Sequence, residues 1–299
     1  MMQRRCSFRE ATARQRVAHL LDPGSFMEWL GPEQRLTSPH LAALGAPVAF
    51  DDGVVIGAGR LHGESVIVVA QEGVFNGGAV GEIHGAKVRG ALMRAAREKP
   101  RAVLMLVDSG GVRLHEANAG LLAISEIMRA LFLVQEAGVP VFALVGGTCG
   151  AFGGMGIVTR LCDVVVMSEE GRLGLSGPEV IETVKGVEEF DSRDRALVWR
   201  VTGGKIRRAL GEAQQLVEDD VAAFREAVTT HTRFTDPQCH EAWSEEGLER
   251  EQARLSARRR DYEGVRDAQV IWNGLGVGRQ VALMTSEEFN RFLQEAGLA

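Results

Sequence analysis

Cysteine is scarce and never paired in sequence. The chain has four, Cys6, Cys149, Cys162 and Cys239, and none stands in a CxxC pair. That argues against a structural zinc site, and they read as free thiols in or near a core. Tyrosine is nearly missing, with one in 299 residues. No apolar run is long enough to span a bilayer. The opening stretch, MMQRRCSFREATARQRVAHLL, has basic residues but no continuous apolar block. It therefore does not read as a secretory signal, so a disulfide framework is not expected and the cytoplasm is the expected address. Positive charge is not in excess either. The formal net charge is -6, which argues against nucleic acid or an anionic membrane as the main partner.

Glycine is plentiful, at 36 residues, and it clusters between Gly73 and Gly177. Around it the hydrophobic pattern alternates between strand and helix periods. SFREATARQRVAHLL reads as a short amphipathic helix, with Ser7 and Glu10 at capping-box spacing. GVVIGAGRLHGESVIVVAQEG reads as two strands joined at His62-Gly63-Glu64. GEIHGAKVRGALMRAAREK is a helix with Ile83, Val88, Leu92 and Ala95 on one face. AVLMLV, residues 102–107, is apolar throughout, the mark of a strand covered on both faces. A long helix is expected directly after it, with His115 and Glu116 in its first turn and Gly138 and Pro140 at its end. VPVFALVGG supplies a further strand and DVVVMSEEGRLGLSG two more short ones. Pro178 opens another helix. Beyond Val180 the pattern is mostly helical, and EAQQLVEDDVAAFREAVTTH reads as one amphipathic helix. The composition shifts after Pro237. The expected division is therefore a main domain over 1–235 and a helical appendage over 236–299.

A strand running into paired glycines and then a helix occurs twice. Val107-Asp108-Ser109-Gly110-Gly111 is the first case. The second runs from Val145 through Gly146, Gly147 and Gly150 to Gly153-Gly154. At a helix N-terminus the first N–H groups lack intrahelical partners, and the helix dipole favours negative charge. Glycine removes the side chain that would hold a ligand away. Each turn therefore has the makings of an oxyanion hole. Neither reads GxxxxGK[ST], which excludes a P-loop. Neither gives GxGxxG with an acid about 20 residues on, so a Rossmann dinucleotide site is weak. A serine hydrolase built on Ser109 lacks a GxSxG elbow and an acid placed to orient His115. Ser109 reads instead as a residue that shapes or caps the turn, and Glu116 as a charge favoured by the helix dipole.

The motifs GEIHGAKVRGA, SGGVRLHEA, GAFGGM and GRLGLSGPEVIE resemble the β-type carboxyltransferase subunits of acyl-CoA carboxylases. These have the crotonase-like, ClpP-related fold, a spiral of ββα units. With DDGVVIGAGRLHG, FNGGAVGEIHGAKVRGAL and GVEEFDSRDRALVWRVTGG added, the chain is similar from Ser7 to about Phe224 to the β subunits of biotin-independent malonate decarboxylases. It has neither the four-cysteine zinc ribbon found on many bacterial carboxyltransferase β subunits nor a biotin-carrier lysine flanked by methionines. The resemblance implies an α/β fold with a helical C-terminal part and no covalent cofactor in this chain. The implied ligand is a malonyl or acetyl thioester on the CoA-like arm of an acyl carrier protein. The implied partners are a homologous γ subunit, the carrier protein and an acyl-carrier transferase. Loss of carbon dioxide would leave an enolate held by the backbone at Gly110 and Gly111, with Gly153 and Gly154 as the second donor set or, alternatively, lining a tunnel or packing a helix. Gly81, Gly85 and Gly150 are read as close-approach positions along the arm, with helix packing as the other reading for Gly81 and Gly85. Lys87 and Arg113 either meet the arm's phosphates or the departing carboxylate, or form surface ion pairs. No residue is identified as the proton donor, and Asp191, Ser192 and Asp194 read as helix caps. Two alternatives stand beside this one: a biotin-dependent carboxyltransferase, and a non-catalytic scaffold completing a partner's site.

Overall fold

The computed structural model describes residues 5–48, 50–233, 244–265, 268–274 and 278–297. In chain order its elements are α1 (Ala13–Leu20), β1 (Met27–Trp29), α2 (Pro39–Ala43), β2 (Val54–Leu61), β3 (Glu64–Gln71), α3 (Glu82–Glu98), β4 (Ala102–Val107), α4 (Ala119–Glu136), β5 (Val141–Val145), α5 (Gly153–Leu161), β6 (Val164–Ser168), α6 (Pro178–Lys185), α7 (Arg195–Thr202), α8 (Gly204–Ala209), β7 (Gln215–Val217), α9 (Val221–Arg233), α10 (Glu245–Asp261), α11 (Ala268–Gly274) and α12 (Ser286–Glu295). The strands form one seven-stranded sheet in sequential order, β1 to β7. The β1–β2 and β2–β3 pairs are antiparallel, and every later pair is parallel.

Strand β4 shows why its sequence is apolar throughout. Val103, Met105 and Val107 face a core shared with α3, α4 and α5, while Ala102, Leu104 and Leu106 face a second core under α1 and α9. Successive side chains point to opposite faces, so a strand covered twice has no polar position to spare. The β2–β3 hairpin closes at His62 and Gly63, both at positive φ, which matches the twist of the strands it joins.

Beyond the carboxyl ends of the parallel strands runs a second, short ladder. Val80 pairs with Val112, Ser109 with Ala151, and Ala151 with Leu173, all parallel, and Arg172 pairs antiparallel with Gly203. Repeating strand, short ladder rung and helix gives the spiral, and it stacks the two glycine turns side by side.

Four elements depart from the sequence expectation, the first being that of the two strands expected over residues 163–177 only β6 forms, with Leu173 making a single bridge to Ala151. The first helix starts at Ala13, because Thr12 and Gln15 form the capping box; the Ser7 hydroxyl accepts the Glu10 amide only within a preceding turn. The helix after β4 starts at Ala119, with Leu114–Asn118 still in a turn. Gln215–Val217 is strand β7, the sheet's last parallel strand, and not the start of a helix. The expected boundary at 235/236 lies outside the described residues, as does Cys239. Cys6, Cys149 and Cys162 are free thiols. The C-terminal helices pack on the body: Trp272, Phe289 and Leu293 join the first core. The Asn290 side chain lies along the free edge of β7, donating to the Leu216 carbonyl (2.7 Å) and accepting from its N–H (3.4 Å). That covers an edge which would otherwise present unpaired backbone. Among the described residues no helix is long and apolar enough to cross a membrane.

Candidate active site

The two glycine turns meet. A side chain added at Gly153 would sit 3.1 Å from the Gly111 Cα, so bare backbone faces bare backbone there. The Phe152 N–H donates to the Ser109 carbonyl (2.9 Å), and the Ser109 N–H donates to the Gly150 carbonyl (2.6 Å). These bonds fix the first turn against the second.

The second turn opens a helix where its sequence predicts one, but of the expected donor pair the Gly153 N–H is already committed and only that of Gly154 is open. Gly153 and Gly154 are the first residues of α5, and Phe152 provides no side-chain cap. Gly153 donates its N–H to the Leu175 carbonyl (2.8 Å). Gly154 and Met155 have no acceptor for theirs among the described residues. Two open amides at a helix start form a local anion site. Sequence reading missed Met155, whose side chain is a buried core residue and gives no hint of its main chain.

The first turn differs from expectation. With α4 starting at Ala119, Gly110 and Gly111 lie in a loop and not at the start of the helix that follows them. The Gly110 N–H is used, donating to the Gly77 carbonyl (2.9 Å). That carbonyl is delivered by a left-handed turn through Asn76, Gly77 and Gly78, with φ of 50°, 62° and 65°. The Gly111 N–H has only a long contact to the Ser109 hydroxyl, 3.3 Å. Its φ of 141° is a conformation that only glycine adopts without strain. The Gly111 carbonyl accepts from Val80 N–H (2.9 Å), which sets the plane of the peptide that follows it. Of the first pair, the Gly110 N–H is committed and the Gly111 N–H is the more weakly held, by that one long hydrogen bond. Ser109 is buried, and its hydroxyl bonds within the loop, as a turn-shaping residue should.

The positions assigned to the carrier arm are occupied by the protein itself. Arg113 is buried and holds Asp51 with both terminal nitrogens (2.6 and 3.1 Å), Glu116 (3.1 Å) and the Ala79 carbonyl (2.9 Å). Burial works against this charge, but the hydrogen bonds and charges of Asp51 and Glu116 more than offset it, so its pKa lies above the ordinary value. Glu116 does not serve its own helix. It accepts the Glu82 N–H at 2.6 Å and so caps α3. Gly81 is needed because a side chain there would reach within 2.5 Å of the Glu116 carboxylate. Gly85 lets α3 approach α4, since its added carbon would meet the Ala123 Cβ at 2.2 Å. Lys87 is buried and donates to the Val54 carbonyl (2.5 Å), and burial lowers its pKa. Gly150 sits at φ 73° against the Arg172 carbonyl. These residues hold the loop that carries Gly111; none presents an open group to a ligand.

His84 belongs to the same buried network. The Gln71 amide donates to its Nε2 (3.0 Å), and Nδ1 has no partner among the described residues. Burial holds its pKa down at about 3, despite the opposing pull of Asp51 and with help from the Arg113 and Lys87 charges. The folded state therefore keeps His84 neutral where the unfolded chain, at the ordinary 6.5, takes up a proton. Its contribution to stability is complete above pH 6.5 and is lost as pH falls from there toward 3. One proton corresponds to about 1.4 kcal/mol per pH unit. Thermal unfolding from pH 7.5 down to pH 5 should show this slope, and His84→Gln should be flatter by one proton. Equal slopes in the two proteins would exclude His84 as its source.

The sheet order, the ladder beyond the strand ends and the paired glycine turns define a crotonase-like carboxyltransferase fold. The chain belongs to the carboxyl transferase domain family, whose model matches residues 9–239. It is 45% identical over 237 residues to the malonyl-S-ACP:biotin-protein carboxyltransferase of Malonomonas rubra, covering 75% of this chain and 74% of that one. It is 34% identical over 177 residues to the propionyl-CoA carboxylase β chain of Saccharopolyspora erythraea, covering 58% of this chain but only 31% of that longer protein. Among solved structures it matches a subunit of the Pseudomonas malonate decarboxylase hetero-tetramer, solved in complex with malonate. The TM-score is 0.72 and the identity 45%, with 77% of this chain and 84% of that chain covered.

Proposed function

We propose that this chain is a malonate decarboxylase subunit that releases carbon dioxide from a malonyl thioester carried on an acyl carrier protein. The observation that carries the reading is the open Gly154 amide at the start of α5, one residue after Gly153, which packs against the Gly111 backbone. When the C–C bond to the carboxylate breaks, its electron pair becomes the enolate and carbon dioxide departs. The negative charge collects on the thioester oxygen, where the Gly154 amide and then the Gly111 amide donate. Donors fixed before the reaction favour this charge over the neutral thioester, and so lower the barrier. Protonation at carbon then yields the acetyl thioester. The 45% identity to proteins named for malonyl-carrier and malonate chemistry supports this substrate class.

The site is built to be completed by a second subunit. Leu121, Leu122, Ile157, Leu175, Val180 and Val184 are exposed on α4, α5, α6 and the segment between the last two. Apolar side chains in such number around a reaction site mark an interface. The proposed occupant is the homologous γ subunit, with the carrier protein and its transferase as the remaining partners.

The test is carbon dioxide release from malonyl thioester by the co-purified complex, with each subunit omitted in turn. Loss of release without this chain supports the reading; unchanged release overturns it. A second reading, carboxyl transfer to a biotin protein, is favoured by the activity named for the Malonomonas relative. Avidin separates them: decarboxylation by the proposed route is insensitive to it, while transfer stops. Ser109→Ala should retain substantial turnover, because the hydroxyl serves the loop. Abolished turnover, or an acyl group trapped on Ser109, would point to a serine nucleophile.

A further inference from the structure

Two arginines share one indole at the carboxyl end of the sheet. The Arg9 guanidinium lies 5.7 Å from the Trp199 ring centre and that of Arg172 lies 5.6 Å from it. Arg172 also lies 5.8 Å from the Phe152 ring and donates to the Thr148 carbonyl. Neither guanidinium forms an ion pair among the described residues, although Arg14, Arg16, Arg113, Arg207 and Arg258 all do. All three members of the stack are half-buried. Burial works against the Arg172 charge, and Arg9 adds to that effect, against the longer-range pull of Glu179 and Asp108. Ring contacts offset only part of the cost of gathering two like charges away from water. An anion between or beside them would relieve it, and guanidinium forks match phosphate oxygens.

The place is suitable for a ligand. Arg172 follows β6, Thr148 follows β5, and ligands of parallel sheets bind outside the carboxyl ends of the strands. Arg172 belongs to the ladder that carries α5: its carbonyl accepts the Ala151 N–H (2.8 Å), and Gly153 and Gly154 follow shortly after. Trp199 also lines a cavity of about 480 Å³, together with Gly203, Lys205 and Trp272. Gly203 is the ladder partner of Arg172. Guanidiniums and an aromatic-walled cavity therefore adjoin one another, on the same ladder as the oxyanion donors.

We propose that Arg9, Trp199 and Arg172 form a subsite for a nucleoside phosphate, with the phosphates on the guanidiniums and the base in the adjoining cavity. Resting on the function proposed above, this makes it the seat of the nucleotide-like end of the carrier's thioester arm, the role that Lys87 and Arg113 are too engaged to play.

The test uses the co-purified complex and two thioesters, malonyl-CoA and malonyl-N-acetylcysteamine, the second lacking nucleotide and phosphate. Arg9→Gln and Arg172→Gln should each raise KM for malonyl-CoA about 10-fold or more, with kcat within about twofold. KM for the short thioester should not move. Arg9→Gln is the cleaner variant, because among the described residues the Arg9 guanidinium forms no hydrogen bond or ion pair and lies over the ring. Equal effects on the two thioesters, or none on either, overturn the proposal. Tryptophan fluorescence titrated with adenosine 3′,5′-bisphosphate gives a readout independent of turnover. Saturable quenching, weakened about 10-fold or more in both variants, supports the subsite even if neither thioester is decarboxylated. Competition by inorganic phosphate at equal concentration would reduce it to a free-phosphate site, and no quenching would overturn it.

Discussion

Gly154→Pro is expected to lower carbon dioxide release by the assembled complex about 10²–10³-fold relative to Gly154→Ala, the usual cost of losing one oxyanion donor. The comparison asks what the N–H supplies beyond the effect of an added Cβ. Both variants add a Cβ, which would fall 2.5 Å from Cγ1 of Ile124, a buried β-branched residue that must shift in either case, so the packing cost of that carbon is common to both. Only proline removes the N–H. Its position is the second residue of α5, where proline is tolerated because no intrahelical bond is lost. Folding should therefore be similar in the two, as thermal unfolding would verify. The loss should fall in kcat more than in KM, because the thioester oxygen carries its full charge only after the C–C bond breaks. Equal kcat in the two variants would mean that no developing charge rests on this amide. Gly110→Pro would be a poor test of the chemistry, since its N–H already holds the Gly77 carbonyl and its loss would disturb the loop itself.

That contrast shows what the linear sequence conveys and what it hides. β4 was legible because covering on both faces leaves a trace in every residue of AVLMLV, and the β2–β3 hairpin because its turn needs residues that tolerate positive φ. The second glycine turn was legible for a similar reason: its helix starts where the glycines are. The first was not. Ser109 and Glu116 have the chemistry of a helix start, yet the Ser109 hydroxyl bends back to Gly111, and Glu116 caps α3, 34 positions earlier. Arg113 reads as a free cation until Asp51 is seen beside it, 62 positions away. β7 is too short to break a helical pattern by itself and is recognisable only by its pairing with β6. Local signals end where a side chain spends its hydrogen bonds on a distant partner. The stack of Arg9 and Arg172 on Trp199 is the extreme case, because three separate segments supply it.

Asp108→Ala is expected to destabilise the protein by about 3–5 kcal/mol, the range for stranding one member of a buried ion pair. Asp108 and Arg16 meet at 3.0 Å with side chains 1% and 2% exposed. The pair is not merely deep; it is built around. Arg16 donates to the Phe8 carbonyl (2.6 Å), and the other Asp108 oxygen accepts the Cys149 N–H (2.7 Å). Gly73 and Gly147 leave room for the carboxylate, since a side chain at either would come within 2.5 Å or 2.1 Å of it. Asp108 therefore ties the turn after β4 to the turn after β5, and so sets the distance between the Gly111 and Gly154 donors. Denaturant unfolding would measure the stability loss. Adding Arg16→Met to Asp108→Ala removes the stranded charge and should recover part of it, though not the share owed to the unpaired Cys149 amide. Turnover should not recover with stability. Without the carboxylate the two turns keep only the backbone bonds of the Ser109–Ala151 ladder between them, and a misplacement near 1 Å costs about 10²-fold. If the double variant regained both stability and full activity, Asp108 would be only a counter-ion for Arg16, and the register of the two turns would have to come from the Ser109–Ala151 ladder alone.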